Sequence, residues 1–387
     1  MTGHLFSAAR LRGLSLSNRI VVSPMCQYSA VDGVPTEWHR LHLGQFALSR
    51  AGLVFVEATA VEAIGRITPA CLGLYSDEAE RALKAVVESF KSQAGASRIG
   101  IQLAHAGRKA SISRPWEGGR PLGSAEGGWT TVGPSAIAFD DRRPPPQALD
   151  GAGIARIKAA FVAAAQRAVR IGFDAIELHM AHGYLMSSFL SPLANQRTDA
   201  YGGGIENRTR LQAEIFAAVR AAVPTAIPVG ARINGSDWRE GGATVEDAVA
   251  LGHVLKRLGC DFLDVSSGGV AADQQMPLRP GYQLPFASRV KREVGLPTMA
   301  VGLISRPHSA EAILAAGHAD FVALGRAMLD DPRWPWHAAN ALGAELDLPL
   351  ATGYAVAPRW RQNTEEAGAT PDPLLAQAEA DLVKAAE

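Results

Sequence analysis

"IPVGARINGSDWREGGATVEDAVALGHVLKRLGCDFLDVSSG", residues 227–268, contains one complete strand–helix–strand unit. "IPVGARIN" (227–234) and "DFLDVSSG" (261–268) are apolar through their middles, as strands covered on both faces are. Between them "TVEDAVALGHVLKRLG" (244–259) carries its apolar residues at helical spacing. Thr244 and Asp247 stand at capping-box spacing, and Gly259 closes the helix. Two parallel strands joined through a helix are the elementary step of a parallel sheet.

The same alternation recurs along the chain. Six further strand-like runs are "RIVVSPM" (19–25), "GLVFVEATAV" (52–61), "RIGIQLAH" (98–105), "DAIELHM" (174–180), "PTMAVGLI" (297–304) and "DFVALGRAM" (320–328). "SDEAERALKAVVESFKSQ" (76–93) is one of the intervening helices, with Ser76 as its cap. Eight βα units predict a single (β/α)8 TIM barrel. The competing arrangement, a doubly wound open sheet, lacks support because no strand leads into a G-x-G-x-x-G turn.

Three segments fall outside the repeat. "HLFSAARLRGLSLSN" predicts an N-terminal hairpin closing the bottom of the barrel, and residues 106–149 predict a long loop after the third strand. Such a loop in a compact domain usually carries function. The barrel domain is expected to span 1–360, with 361–387 as a C-terminal extension, flexible or helical.

The chain balances 38 basic against 38 acidic residues over 387 positions, so no positive field invites nucleic acid. No apolar run reaches 18 residues and the N-terminus lacks a secretion-type apolar segment, which predicts a cytoplasmic protein without a membrane partner. Cys26, Cys71 and Cys260 are too scattered for a disulfide framework or a zinc ribbon.

In a (β/α)8 barrel, chemistry sits where strands end. The polar residues there are Cys26, Gln27 and Tyr28; Glu57 to Thr59; Gln102 and His105; His179, His182 and Tyr184; Arg232; Ser266 and Ser267; Gly302; and Gly325 with Arg326. Gln102 and Arg232, costly inside a barrel without partners, point to a polar ligand in its mouth. Gly302 and the Gly325–Arg326 pair lie where barrels bind phosphate, implying a phosphorylated cofactor.

Each feature also has a plainer reading. His105 suits a structural hydrogen-bonding role, Cys71 and Cys260 suit small buried hydrophobes, and Gly202 and Gly203 suit a turn with Asn207 and Arg208 fixing the following helix. His179 and His182 suit zinc only if His105 or another ligand joins them, and no metal-binding pattern accompanies the pair. Two neutral imidazoles donating to one carbonyl oxygen is the preferred alternative, with no metal.

"SPMCQYSA" (23–30), "VEATAV" (56–61), "GIQLAHAGRKA" (100–110), "GPSAIAF" (133–139), "IELHMAHGYLMSSFLSPLANQRTDAYGGGIENR" (176–208), "AVGLI" (300–304) and "LGRAMLDDP" (324–332), taken together, resemble the old yellow enzyme family of FMN-dependent ene reductases. The likeness spans about residues 4–336 and is strongest to the cysteine-containing, thermophilic-like branch; "RPWEGGRPLGS" (114–124) resembles the insertion of the xenobiotic reductase A type.

That resemblance implies non-covalent FMN across the barrel mouth, lined by Ser23, Pro24, Met25, Cys26 and Ala58. Gln102 and Arg232 would meet its polar edge, and Gly302, Gly325 and Arg326 its phosphate. NADPH would reduce the flavin, with Cys26 tuning its potential. An α,β-unsaturated carbonyl would then be held by His179 and His182, receive hydride from flavin N5 at Cβ and a proton from Tyr184 at Cα, with Tyr28 closing the site. A homo-oligomer, dimer or tetramer, is also implied, in which Tyr354, Arg359 or Trp360 could complete a neighbour's site. The alternatives are an FMN barrel working as an NADPH oxidase or oxidative dehydrogenase, and a non-catalytic flavin-binding barrel.

Overall fold

The computed structural model describes residues 3–355. Eight parallel strands close into a barrel: β1 (Ile20–Val22), β2 (Leu53–Ala60), β3 (Arg98–Ala104), β4 (Ala175–Met180), β5 (Val229–Asn234), β6 (Leu263–Ser266), β7 (Thr298–Ala300) and β8 (Phe321–Leu324). Each strand is bonded to its neighbours in sequence, and β8 returns to β1 through Val322, Ala323 and Leu324 against Ile20, Val21 and Val22. The outer layer is α1 (Glu37–Ser49), α2 (Asp77–Gln93), α3 (Gly151–Ile171), α4 (Arg210–Ala222), α5 (Val245–Arg257), α6 (Leu284–Val294), α7 (Pro307–Ala315) and α8 (Trp334–Ala341).

All eight expected strands are present, each trimmed at one or both ends. Those expected at 297–304 and 320–328 shorten most; in the second the strand stops at Leu324 and the chain turns at Gly325 into a short helix, Arg326–Asp330. The expected caps are in place: Ser76 Oγ accepts from the Ala79 amide at 3.1 Å, and Asp247 Oδ2 accepts from the Thr244 amide at 2.9 Å. Residues 106–149 form a long excursion of short turns, with one two-residue parallel pairing of Val132–Gly133 and Gln147–Ala148. The proposed boundary at 360, Arg359, Trp360 and the 361–387 extension lie outside the described residues, whereas Tyr354 sits exposed on a terminal helix, Leu350–Ala355.

The N-terminal hairpin pairs Ala9–Leu11 with Leu14–Leu16 and buries Leu11 and Leu16 against Val21, Leu53, Phe55, Phe262 and Phe321. Phe55 from β2 and Phe262 just before β6 meet across the barrel, their centroids 6.0 Å apart, so both fill the lumen. Glycine makes the room. A Cβ on Gly100 would come 2.5 Å from the Phe55 ring, and one on Gly230 would come 2.4 Å from Phe262.

Inward-facing residues recur every second position along a strand. From Gly100, Ala175, Gly230 and Phe262, one step of two leads to Gln102, Glu177, Arg232 and Asp264 on four consecutive strands. Thus the lumen changes within one layer from apolar to charged, and the charged layer is the floor of the mouth.

Candidate active site

Above that floor opens a cleft of about 520 Å³ lined by Ser23, Pro24 and Met25 after β1, His182 after β4, Arg232 on β5, Gly302 after β7, and Gly325 and Arg326 after β8. With Ser266 at the end of β6, which also lines it, nine of the sequence candidates are gathered at one opening. The remaining ones surround it. Ala58 and Tyr184 share a small void with Cys71, and Cys26 and Tyr28 pack with Tyr184 against Ile67, Cys71, Ala106 and Ala110. Gln102 lies in the floor and His179 beside His182.

The floor is a connected polar layer. Gln102 Nε2 donates to Glu177 Oε1 at 2.7 Å, and Arg232 Nε lies 3.3 Å from Asp264 Oδ2. Complete burial and the nearby Asp264 push the Glu177 carboxyl above its ordinary range, while Arg232 and Gln102 pull it back. Burial likewise raises Asp264. Glu177 Oε2, Asp264 Oδ1, Arg232 Nε and Ser23 Oγ are buried without a hydrogen-bond partner among the described residues. Such groups are expensive to leave unpaired. Glu177 and Asp264 were not singled out from the sequence, although a charged residue two positions from Ala175 or Phe262 in an otherwise apolar strand is the available signal.

The pair His179 and His182 forms a directed chain. His179 Nδ1 accepts from the Ala181 amide at 3.3 Å, which leaves its proton on Nε2, 3.3 Å from His182 Nδ1. His182 Nε2 then faces Ser266 Oγ at 2.7 Å, and Ser266 Oγ donates to Gln283 Oε1 at 3.1 Å. Desolvation, then Arg232, holds both imidazoles well below their usual pKa, so both are neutral. Tyr184 packs edge-on against His179 at 5.0 Å, and its phenol is raised by desolvation. No hydrogen bond engages its hydroxyl among the described residues.

Lys109, unnoticed in the sequence, reaches this group from the loop after β3. Its Nζ donates to the carbonyls of His182 and Gly269, 2.8 Å each, and lies 4.9 Å from the Tyr184 ring centroid. Burial, then Arg143 and Arg108, brings its pKa down to about 7. His182 has a positive φ of 62°, and the following Gly183 touches Gly269 so closely that a Cβ there would fall 2.1 Å from the Gly269 oxygen.

His105 does not join His179 and His182. Its Nδ1 accepts from the Gly107 amide at 3.0 Å and its Nε2 meets Glu62 at 2.9 Å, which is the structural role. Cys71 and Cys260 are buried, and Arg208 bonds Gly203 O, Leu190 O and Asp247 ahead of α4. No three His, Cys, Asp or Glu residues cluster for a metal among the described residues. No helix among them is long and apolar enough to cross a membrane.

The opening suits a flat molecule with an anionic end. Gly302 has a φ of 129°, which only glycine adopts readily. A Cβ on Gly325 would enter the cleft, its nearest neighbour being Met25 Sδ at 3.6 Å. Arg326 beside it is exposed and carries no ion pair among the described residues. At the other side Arg232 lines the cleft and offers a cation to a polar ring edge, with Gln102 buried in the floor and bonded to Glu177. The donor set therefore fits FMN.

Comparison with known proteins reaches the same place. Residues 4–345 match the model of the NADH:flavin oxidoreductase / NADH oxidase family. The chain is 43% identical over 348 residues to an NADPH dehydrogenase of Geobacillus thermodenitrificans, covering 89% of this chain and 96% of that protein. It is 42% identical to an NADH:flavin oxidoreductase of Gibberella zeae, covering 89% of this chain and 87% of its relative. Among solved structures, morphinone reductase superposes with a TM-score of 0.74 at 29% identity, covering 90% of this chain and 92% of that one. The old yellow enzyme homologue from Zymomonas mobilis gives 0.72 at 26% identity, covering 89% and 94%. A cleft built for a flavin, on a barrel whose relatives oxidise nicotinamides, makes this chain a member of the NADH:flavin oxidoreductase / NADH oxidase family, an FMN-dependent, NAD(P)H-using oxidoreductase of the old yellow enzyme type.

Proposed function

We propose that the enzyme reduces the activated C=C bond of α,β-unsaturated carbonyl compounds. The observation that carries this reading is the grouping of two neutral histidines and a phenol: His182 lines the cleft, His179 meets it at 3.3 Å, and the Tyr184 ring packs on His179. When bound, FMN supplies two-electron chemistry, taking a hydride from NADPH and giving one to the substrate's β-carbon.

The protein's own residues do the rest. Ser23, Pro24, Met25, Cys26 and Ala58 line the flavin, Gln102 and Arg232 hold its polar edge, and Gly302, Gly325 and Arg326 hold its phosphate. His179 and His182 hold the carbonyl oxygen. Their mutual 3.3 Å contact is long for a hydrogen bond and is the one such an oxygen would displace. With His182 in the tautomer that carries its proton on Nδ1 and accepts from Ser266 Oγ at Nε2, both rings donate into the oxygen and stabilise the negative charge that develops there as hydride arrives at Cβ. Tyr184, whose raised pKa keeps its hydroxyl protonated, donates to Cα, and Tyr28 closes the site. Cys26, raised well above the ordinary thiol range by burial, then Cys71 and Glu57, is a neutral thiol suited to tuning the flavin rather than attacking a substrate.

Rapid mixing separates the two half-reactions. Tyr184→Phe should slow flavin reoxidation by an enone about 10²–10⁴-fold, the usual contribution of a positioned general acid, while flavin reduction by NADPH changes little. Equal slowing of both would mean general damage, and normal reoxidation would place the proton donor elsewhere. No anaerobic turnover of enones by the intact enzyme would favour an oxidase or oxidative dehydrogenase instead.

A further inference from the structure

Behind residues 25–28 lies a buried pair that the proposed mechanism does not use. The ladder between β2 and β3 slips at Glu57: Val56 pairs with Ile101 and Ala58 with Gln102, so Glu57 is the extra residue of a bulge. Bulges re-aim side chains near active sites. Here the slip coincides with a carboxylate only 3% exposed, directed at the chain that follows β1. Glu57 Oε2 accepts the Gln27 amide at 3.0 Å, and Oε1 lies 3.3 Å from His39 Nε2, a close polar contact short of hydrogen-bond alignment.

His39 is equally buried and is fixed from its other side. Its Nδ1 accepts from the Thr36 amide at 2.9 Å at the start of α1, which puts the ring's proton on Nε2, the atom that faces Glu57. Helix α1 also holds Gln27 by its side chain, through Trp38 Nε1 to Gln27 Oε1 at 3.1 Å, while Gln27 Nε2 donates to Met25 O at 2.9 Å. The residue before Gln27 is Cys26. Its thiol is faced by Cys71, Tyr28, Tyr184 and the Ala58 amide, and the Glu57 carboxylate acts on it.

We propose that Glu57 and His39 form a positioning pair for Cys26: the carboxylate pins the Gln27 amide, sets a negative charge behind the segment that lines the flavin, and is itself oriented by the imidazole. This rests on the flavin lying across residues 23–26. The charge acts in two measurable ways. It opposes formation of the Cys26 thiolate, in the same sense as burial and Cys71 and against Tyr28 and the Ala58 amide. It also opposes electron density on the flavin, and so lowers the reduction potential.

Glu57→Gln keeps the reach and the acceptor oxygen but removes the charge, and Glu57→Asp keeps the charge but shortens the reach. In the FMN-loaded protein, labelling of Cys26 by iodoacetamide, read from its peptide by mass, should run faster at pH 9 in Glu57→Gln, because the thiolate is the reactive form. The flavin midpoint potential should become more positive in Glu57→Gln. In Glu57→Asp it should stay near wild type while FMN binds more weakly. His39→Leu, which removes the N–H facing the carboxylate, should move the potential the opposite way. That opposite sign also serves if Glu57→Gln does not retain FMN. Unchanged labelling and potential in a loaded Glu57→Gln protein, or shifts of the same sign in the Glu57→Gln and His39→Leu variants, would overturn the proposal. Enone turnover in wild type is scored separately, so failure of the ene-reductase reading leaves these outcomes interpretable.

Discussion

At the level of Gly230 the barrel lumen is closed by Phe55, Phe262, Phe321 and the hairpin leucines, all buried and apolar. Two residues further along the same strands, Gln102, Glu177, Arg232 and Asp264 occupy an equally buried layer and leave several polar atoms unpartnered among the described residues. Both ends are made by the same β-ladder, so backbone geometry does not distinguish them. The difference is what each layer needs. The lower one is complete in itself, whereas the upper one has donors and acceptors that a ligand can satisfy, and burial there stabilises a function at some cost to the fold.

Truncation at the closed end should cost most. Phe262→Ala removes a side chain that spans the lumen, and about 3–5 kcal/mol of stability should go with it, measured by urea unfolding. The folded fraction should still bind FMN with ordinary affinity; loss of flavin without loss of stability would break the contrast between the ends.

The open end should respond in the reverse manner. Arg326→Ala should weaken FMN binding by about 1.5–3 kcal/mol, the worth of a hydrogen bond to a charged group. The purified protein should be paler and lose flavin on dialysis, yet the flavin-free form should unfold at the wild-type urea concentration. Undiminished FMN affinity would remove Arg326 from the phosphate site.

The charged layer also has a pH signature. Glu177 is raised in the folded chain by burial and Asp264, so above the ordinary carboxylate range the unfolded chain has lost a proton that the folded one retains. Stability of the flavin-free protein should therefore fall as pH rises from that range toward neutrality, by at most about 1.4 kcal/mol per pH unit for one proton. Glu177→Gln should flatten the slope. An unchanged slope between pH 5 and 7 would assign it to other groups.

The smallest effect belongs to the outer layer. Ser76→Ala removes the α2 cap and should cost about 1 kcal/mol in thermal unfolding, with both FMN affinity and pH slope unaltered.

These two layers were unequally legible in the sequence. The strands announce themselves because "LVFVEATA" and its counterparts are buried on both faces, and Gly259 and Ser76 mark helix ends locally. The mouth residues follow from strand ends alone, which is why Arg232, Gly302 and Arg326 could be named. Glu177 and Asp264 were missed because a strand covered on both faces has no polar side to betray which residues point inward; only the step of two from Ala175 or Phe262 identifies them, and that step requires knowing which residues fill the lumen. Lys109 was missed for another reason. It sits between Arg108 and Ala110 in a loop without a period, and only tertiary contact brings it to His182. The helix at Arg326 was hidden because "FVALGRAM" continues as apolar, and one glycine decides where the strand ends.

Lys109 and Arg108 have a consequence for engineering by recombination. Loops of a βα barrel are commonly treated as interchangeable modules on a fixed frame. In this molecule Arg108 holds the carbonyls of Ile137, Ala138 and Val270, while Lys109 holds those of His182 and Gly269, so the segments after β3, β4 and β6 are fastened to one another. A chimera that imports one of the three from a relative inherits a partner surface it was not selected against. Grafts here should be made as a set of three, and substrate range should be inherited with the set.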